Sequence, residues 1–411
     1  MRKANAGPLL VGLICALVAL PALGQEAPRD DVTDELSTIG LEASPELQRQ
    51  KRREARKNGK AFTFVGTAAT GYDSNIYKGI SGATSDSALF DVGAKVEGLF
   101  YATRRDRFKV SLETTNTPYT ATQKVSSYTQ ELDFFYAHRS RDWGTTSFSG
   151  EIRHKNDSAT NAAGEEFTRN YESMVYRARA GQRLEVAEGH IVKLSYAFKR
   201  KDYFETPGLV SLDWWRHGPK VQYWVNLGED ARWDFSYEFQ EQLYDVEPSS
   251  NRDGVELPGN PPEVNFFQTA RTGIEWQFIN DVIFEAGFRF RSKDDRFEGY
   301  ESYSDYQGEL SLTWVPTPVL NLEVGLKISH RDYDGYPENI SDNSGQLKFD
   351  RYRASALARY QFSERLAAYA AYAFDKRDSN RTCNSPISPN ECVVFRSYAQ
   401  HTLAAGVTAA F

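Results

Sequence analysis

Two sets of residues in this chain could do chemistry: six scattered histidines, and a much larger set of charges that recurs at every second position. The stretch IFEAGFRFRS, beginning at Ile283, sets Glu285, Arg289 and Arg291 in alternation with Phe284, Ala286, Phe288 and Phe290. The same rhythm carries Lys95 and Glu97, Lys109 and Glu113, Arg153, Arg177 and Arg179, Lys193, Asp234 and Glu238, and Arg271 and Glu275. It returns in Arg351, Arg353 and Arg359. Charges of both signs on one face, read as Lys95 with Glu97, Lys109 with Glu113, Arg271 with Glu275 and Glu285 with Arg289, suit a weakly selective pore. They also suit a sugar path, where carboxylates and arginines hydrogen-bond hydroxylated rings and an aromatic such as Trp224 stacks on them. A solvated, mutually neutralising wall is the plainer alternative. Arg351, Arg353 and Arg359 together with Arg177 and Arg179 would form a basic strip for an acidic polymer wherever their strands come close.

Catalysis finds less support. His138, His154, His190, His217, His330 and His401 form no recognisable triad or metal set with Ser, Asp or Glu. His330 opens an HRD tripeptide without the other kinase motifs. The stretches YDSN and DNSGQLKFD offer oxygen ligands but miss the EF-hand spacing. No catalytic residue, metal ligand or cofactor is expected, and the chain reads as a non-enzyme.

The elements that carry these charges must be strands, because only a period of two puts every charge on one face and every apolar residue on the other. From 61 to 411 the pattern recurs in about sixteen segments. Short connections such as RRDR, IND, PTP and SER take turns with long polar ones such as YDVEPSSNRDGVELPGNPPEVN. The expected fold is all-β: a transmembrane antiparallel β-barrel with short periplasmic turns and long extracellular loops. A soluble sandwich would also alternate, but here one face is rich in Phe, Tyr and Trp and the other is charged in most segments. Hydrocarbon leaves no unpaired backbone group unpunished, so such a sheet must close. Phe284, Phe288 and Phe290 then face lipid, and Trp143, Trp233, Trp276 and Trp314 suit interfacial girdles.

The N-terminus supplies an address. Arg2 and Lys3 precede an apolar run from Leu9 to Leu20 and a small-residue exit at Gly24, so residues 1–24 read as a secretory signal peptide. Ile14 before Cys15 does not fit a lipoprotein signal. Removing the signal takes two of the 49 basic residues and none of the 56 acidic ones, and no concentrated basic patch remains, so nucleic acid is not an expected partner. Residues 25–60 read as a periplasmic tether, part helical from Ser44 and Pro45. Cys383 and Cys392, close in sequence in an exported chain, are expected to form one loop-closing disulfide.

Two stretches carry a resemblance. The last strand, AQHTLAAGVTAAF, ends on Phe411 and resembles the signal by which bacterial outer-membrane barrels engage the barrel-assembly machinery, though Ala409 stands where an aromatic is common. The first strand leads into Tyr72, Asp73, Ser74, Asn75, Ile76 and Tyr77, and this resembles the opening of the bacterial beta-barrel porin 2 family and related exopolysaccharide-biosynthesis outer-membrane proteins. FDKRDSNRT, from Phe374, is similar to their lead-in to the final loop. Residues 25–60 have no counterpart in that resemblance. Membership would imply the outer membrane of a Gram-negative bacterium, contact with its lipid, and a role in exporting a polysaccharide beside a periplasmic export component. A general or solute-specific diffusion porin is the alternative, and a plugged barrel with surface-binding loops a further one.

Overall fold

The computed structural model describes residues 62–411 apart from 75–85, 103–104, 119, 121–126, 142, 158–171, 205–210, 212, 253, 258, 280, 336–344 and 381–396. Residues 1–24 and 25–60, Asn75 and Tyr77, and Cys383 and Cys392 lie outside the described residues.

The alternating segments form sixteen strands: β1 (Phe62–Asp73), β2 (Ser87–Ala102), β3 (Asp106–Thr117), β4 (Ser127–Arg139), β5 (Thr145–Asp157), β6 (Ser173–Ala187), β7 (His190–Tyr203), β8 (Trp214–Leu227), β9 (Ala231–Pro248), β10 (Pro262–Ile279), β11 (Val282–Asp295), β12 (Tyr303–Thr317), β13 (Leu320–Tyr333), β14 (Lys348–Ser363), β15 (Leu366–Ser379) and β16 (Tyr398–Ala410). Each pairs antiparallel with its neighbours in the chain, and β1 pairs with β16 to close the ring. An even strand number lets the first and last strands meet antiparallel, so the sheet has no free edge to leave unpaired in lipid. The seam runs from Val65 opposite Ala410 to Asp73 opposite Thr402, and Phe64 and Phe411 exchange backbone hydrogen bonds of 3.1 and 2.8 Å beyond it.

The two rims differ. Only 318–319 separate β12 from β13 and 364–365 separate β14 from β15, whereas 249–261 separate β9 from β10 and 334–347 separate β13 from β14. Five register shifts sit beside short turns, at Leu99/Tyr101, Glu185/Ala187, Gln277/Ile279, Trp314/Thr317 and Gln361/Ser363, and another, Pro262/Val264, lies at the opposite rim after 249–261. Bulges of this kind bend a strand where a barrel rim turns over.

The register sorts the side chains into two faces. On one, Phe284 lies opposite Leu312, Phe288 opposite Gly308, and Leu310 opposite Leu326, a continuous apolar surface. Its Phe288, Leu310, Val324 and Leu403 are each exposed by 48% or more, as side chains that look outward from a closed barrel must be. Aromatics band this face at both rims. Phe62 meets Phe100 edge-on at 5.5 Å and Trp276 meets Phe278 at 5.4 Å near the turns, while Phe290 meets Tyr306 at 5.1 Å near the loops. A cleft of about 450 Å³ between Ile274, Phe288, Leu310 and Leu326, with Gly308 beneath, belongs to this face. A closed sixteen-stranded barrel with an apolar waist and two aromatic girdles is a membrane-spanning barrel of the outer-membrane kind.

On the concave face side chains converge. Near the loop rim Phe267, Tyr303, Tyr333, Leu347 and Phe349 form a buried cluster, with Leu347 reaching in from the connection before β14.

Candidate functional site

All eighteen alternating charges singled out in the sequence share one face by register, and what the structure adds is their partners. Lys95 lies directly opposite Glu113 on the next strand and pairs with it, not with Glu97. Lys109 reaches Glu97 at 2.5 Å. Arg271 pairs with Glu309, Arg232 takes Glu275 at 2.6 Å, and Arg289 reaches Asp305 at 3.2 Å. Each residue of the same-strand pairs read from the sequence thus turns to another strand, with Glu285 accepting from Ser311 at 3.2 Å in place of an ion pair. Residues two apart on a strand are about 6.7 Å apart and residues four apart about 13 Å, whereas residues facing across a ladder have Cβ atoms about 5 Å apart, so the neighbour strand wins.

The Arg271–Glu309 contact crosses a whole strand, from β10 to β12, over Gly287 of β11. A Cβ at Gly287 would come within 2.8 Å of Glu309 Oε1. The contact matters because Arg271 also faces Arg289, and like charges directly opposite repel. Glu113 opposite Glu131, and Asp133 opposite Glu151, repeat the problem on β3 to β5. There Arg153 bridges Glu131 at 2.7 Å and Glu151 at 3.0 Å, Arg177 holds Glu151 at 2.9 Å, and Ser111 donates to Asp133 at 3.2 Å. The carboxylates of Glu131, Asp133 and Glu151 lie within 4.8 Å of one another, so the two arginines do the neutralising in this acidic group.

Towards the loop rim the inner wall becomes a layer of arginines on aromatic rings. Arg216 lies over Trp214 at 5.0 Å and over Phe267 at 4.3 Å, and Arg291 covers Phe267 at 4.7 Å. Arg331 sits 4.2 Å above Tyr303 and 5.2 Å above Phe349 while donating through Nε and Nη2 to Asp305. Arg351 gives Asp375 a two-point pair at 2.8 and 2.6 Å, and Tyr398 donates its hydroxyl to the same carboxylate at 3.1 Å. Arg377 completes the row over Tyr398 at 4.9 Å. Trp214 and Tyr333 are only 1% exposed. The rings therefore stiffen the layer together with the buried pairs of Arg331 with Asp305 and Arg351 with Asp375, and the half-buried guanidinium groups of Arg216, Arg291 and Arg377 are what it offers the interior. Sequence reading found Arg291 and Arg351 in this layer and missed Asp305, Arg331, Asp375 and the rings beneath them. Their alternation was visible, but their convergence needs the closed ring.

Nor do the basic residues gather as the sequence suggested. β6 and β14 are eight strands apart on a ring of sixteen, so Arg177 and Arg179 stand across the barrel from Arg351, Arg353 and Arg359. Instead β6 meets β7 and β8. Arg177 faces Lys199, which faces Arg216, and Arg183 faces Lys193. Asp234 lies beside Trp224, and Glu238 is 3.7 Å from Lys220.

The histidines occupy the outer face near the rims. His138 pairs with Asp106 at 2.7 Å, His154 with Glu172 at 2.7 Å, and His330 with Asp350 and Asp332 at 2.8 and 3.0 Å. Outside the strands, Asp213 caps the connection before β8 by accepting the Tyr203 backbone N–H at 2.5 Å. Burial pushes its carboxyl up to about 7, with the Ser211 hydrogen bond opposing and the Asp202 charge adding to the rise. Of the first-strand motif, Asp73 is buried and accepts a hydrogen bond from Gln400 of β16 at 2.7 Å, and Tyr72 faces outward with its hydroxyl donated to Asp86 at 2.9 Å. Asp73 thus ties the seam where β1 and β16 meet.

No protein-family model matches the chain. No curated protein matches it either. Among solved structures it is similar to the outer membrane channel DcaP of Acinetobacter baumannii, at 10% identity and a TM-score of 0.46, over 85% of this chain and 97% of that one. It is similar to CdiB from Acinetobacter baumannii at 10% identity and a TM-score of 0.48, over 85% of this chain and 60% of that one. A bacterial polysaccharide outer membrane secretin aligns at 6% identity and a TM-score of 0.44, over 85% of this chain and 98% of that one. These likenesses concern barrel architecture and go no further.

Proposed function

We propose that this barrel is an outer-membrane conduit for a secreted polysaccharide. The observation that carries the reading is the layer of guanidinium and carboxylate groups held on buried rings near the loop rim, from Arg216 to Arg377. Its half-buried guanidinium groups, Arg216, Arg291 and Arg377, donate hydrogen bonds to a hydroxyl-rich chain, while the buried Arg331–Asp305 and Arg351–Asp375 pairs keep the layer too stiff to collapse into the path. The resemblance of Tyr72 and Asp73 with the residues after them to the beta-barrel porin 2 family supports the same reading. In this proposal the short turns face the periplasm and the longer connections face outside. Residues 1–24 direct export, residues 25–60 meet a periplasmic export component, and Cys383 and Cys392 close the last loop. The eighteen alternating charges line the path.

Deleting the gene while leaving the synthesis enzymes active tests it. The secreted glycan should disappear and return when the full chain is restored; undiminished secretion without the gene refutes the proposal. A solute-diffusion porin is the second reading, favoured by the ion-paired wall of β2 to β5, which is mixed in sign and suits weak selectivity. Rapid liposome swelling with small neutral sugars, beside unchanged glycan secretion, would favour it.

A further inference from the structure

Strands β6, β7 and β8 break the rule that governs the rest of the inner wall. Elsewhere, as at Arg271 or Glu131, a charge facing its like is bridged by an opposite one. Here Arg183 faces Lys193 across the ladder, and Lys193 has Gln222 on its other side. Among the described residues no carboxylate comes within ion-pair distance of Arg179, Arg183 or Lys193, and Arg179 and Arg183 are exposed to the interior. Glu185 is the single acidic residue on the inner face of the three strands.

The cations are also spaced. Counting from the turn rim, Glu185 lies with Ile191 and Trp224, the first cationic inner level is Arg183 with Lys193, and the next holds Lys220 beside Ser195 and Gly181. Arg179 follows beside Ala197 and Gly218, then Arg177 with Lys199 and Arg216, then Lys201 beside Trp214. Each of these five levels offers a positive charge, offset by a neighbouring strand at Lys220, which reaches Glu238, and at Arg177, which holds Glu151. Successive levels are two residues apart, so the five span about 27 Å along the strand and, at a tilt of about 40°, rise about 20 Å, most of an apolar band about 25 Å tall. Ser195, Gly181, Ala197 and Gly218 keep the second and third levels shallow, so that the long basic side chains stand clear of the wall. Repelling charges held together at a cost to the sheet need an anion to offset them.

Resting on the conduit reading above, we propose that β6 to β8 form its substrate track and that the substrate is an acidic glycan bearing repeated carboxylates. A chain with regularly spaced anionic groups passes from level to level, exchanging one cation for the next. No single level holds it tightly enough to stop it, as conduction through successive weak sites requires.

The test uses the full chain in detergent, titrated calorimetrically with hexagalacturonate, maltohexaose and tripolyphosphate as probes. The native chain should bind hexagalacturonate with an affinity that falls steeply as salt is raised. The triple variant Arg179→Gln, Arg183→Gln, Lys193→Gln should bind it about tenfold more weakly, and the charge-keeping triple Arg179→Lys, Arg183→Lys, Lys193→Arg within about twofold of native. Affinity for maltohexaose should be the same in all three. Equal binding of hexagalacturonate by the native chain and the glutamine variant overturns the track, as does binding of tripolyphosphate without hexagalacturonate. Should the glutamine variant fail to fold, salt-independent hexagalacturonate binding by the native chain overturns it instead. Loss of the export reading in the deletion experiment, with this binding intact, would leave an acidic-sugar pore and so separates the two claims.

Discussion

Replacing Leu326 by arginine should destabilise the barrel far more than removing the charge next to it. Leu326 is the seventh of fourteen residues in β13 and lies on the outer face between Leu310 and Ala354. At about 3.3 Å per residue and a tilt of about 40°, β13 rises about 35 Å, which exceeds an apolar band about 25 Å tall and puts its middle near the bilayer midplane. An arginine there costs about 2–4 kcal/mol, a roughly 30- to 700-fold shift in the folding equilibrium. Lys327, one residue on, points to the opposite face, where it is 42% exposed and 4.0 Å from a Glu309 already paired with Arg271. Lys327→Ala should therefore cost under about 0.5 kcal/mol. Reversible guanidine titration of folding into lipid vesicles, followed by tryptophan fluorescence, measures both. Equal costs for the two substitutions, or a larger one for Lys327→Ala, would refute the assignment of faces.

Gly218→Ala should abolish assembly of the β8–β9 ladder, because the new Cβ would fall 1.8 Å from the Phe239 carbonyl oxygen and a backbone atom cannot swing aside; loss of the heat-modifiable gel band would show it. Lys293→Met should loosen the loop rim by about 3–5 kcal/mol, since Lys293 is buried against Glu263 at 3.3 Å and against Glu301 and its removal leaves two carboxylates facing each other. Hydrogen exchange over 296–302 should rise in that variant and fall again when Glu263→Gln and Glu301→Gln are added. The Asp213 carboxyl is pushed up to about 7, above its ordinary value, so its folded form binds the proton more tightly than its unfolded form does. Its contribution therefore favours the folded cap below pH about 4 and is lost as pH rises through about 7, within reach of Asp202, Asp245 and Arg200. Exchange of the Tyr203 amide should accelerate over that window, and Asp213→Asn should remove this part of the pH dependence.

Alternation was enough to make the architecture legible. Phe284, Phe288 and Phe290 against Glu285, Arg289 and Arg291 demand a strand between oil and water, and sixteen such strands in a medium that tolerates no bare edge demand a ring. The histidines were legible as scattered, and they stand on the outer face at the rims. The partners were not legible. Lys95 takes Glu113 because the neighbouring strand is nearer than the next position on its own, and that depends on a register no single segment encodes.

What the sequence determined by itself is therefore the period, an approximate count of strands and the chemical character of each face, since these follow from the order of residues along one segment at a time. Closure and register decided the rest. They sent Arg351 to Asp375 and set it across the barrel from Arg177, carried Arg271 over Gly287 to Glu309, and stacked Arg183, Lys193, Lys220 and Arg179 into one basic stair that Glu238 offsets at Lys220. The physical reason is that Coulomb and hydrogen-bond energies depend on distances across the ring, and those distances exist only once β1 has met β16.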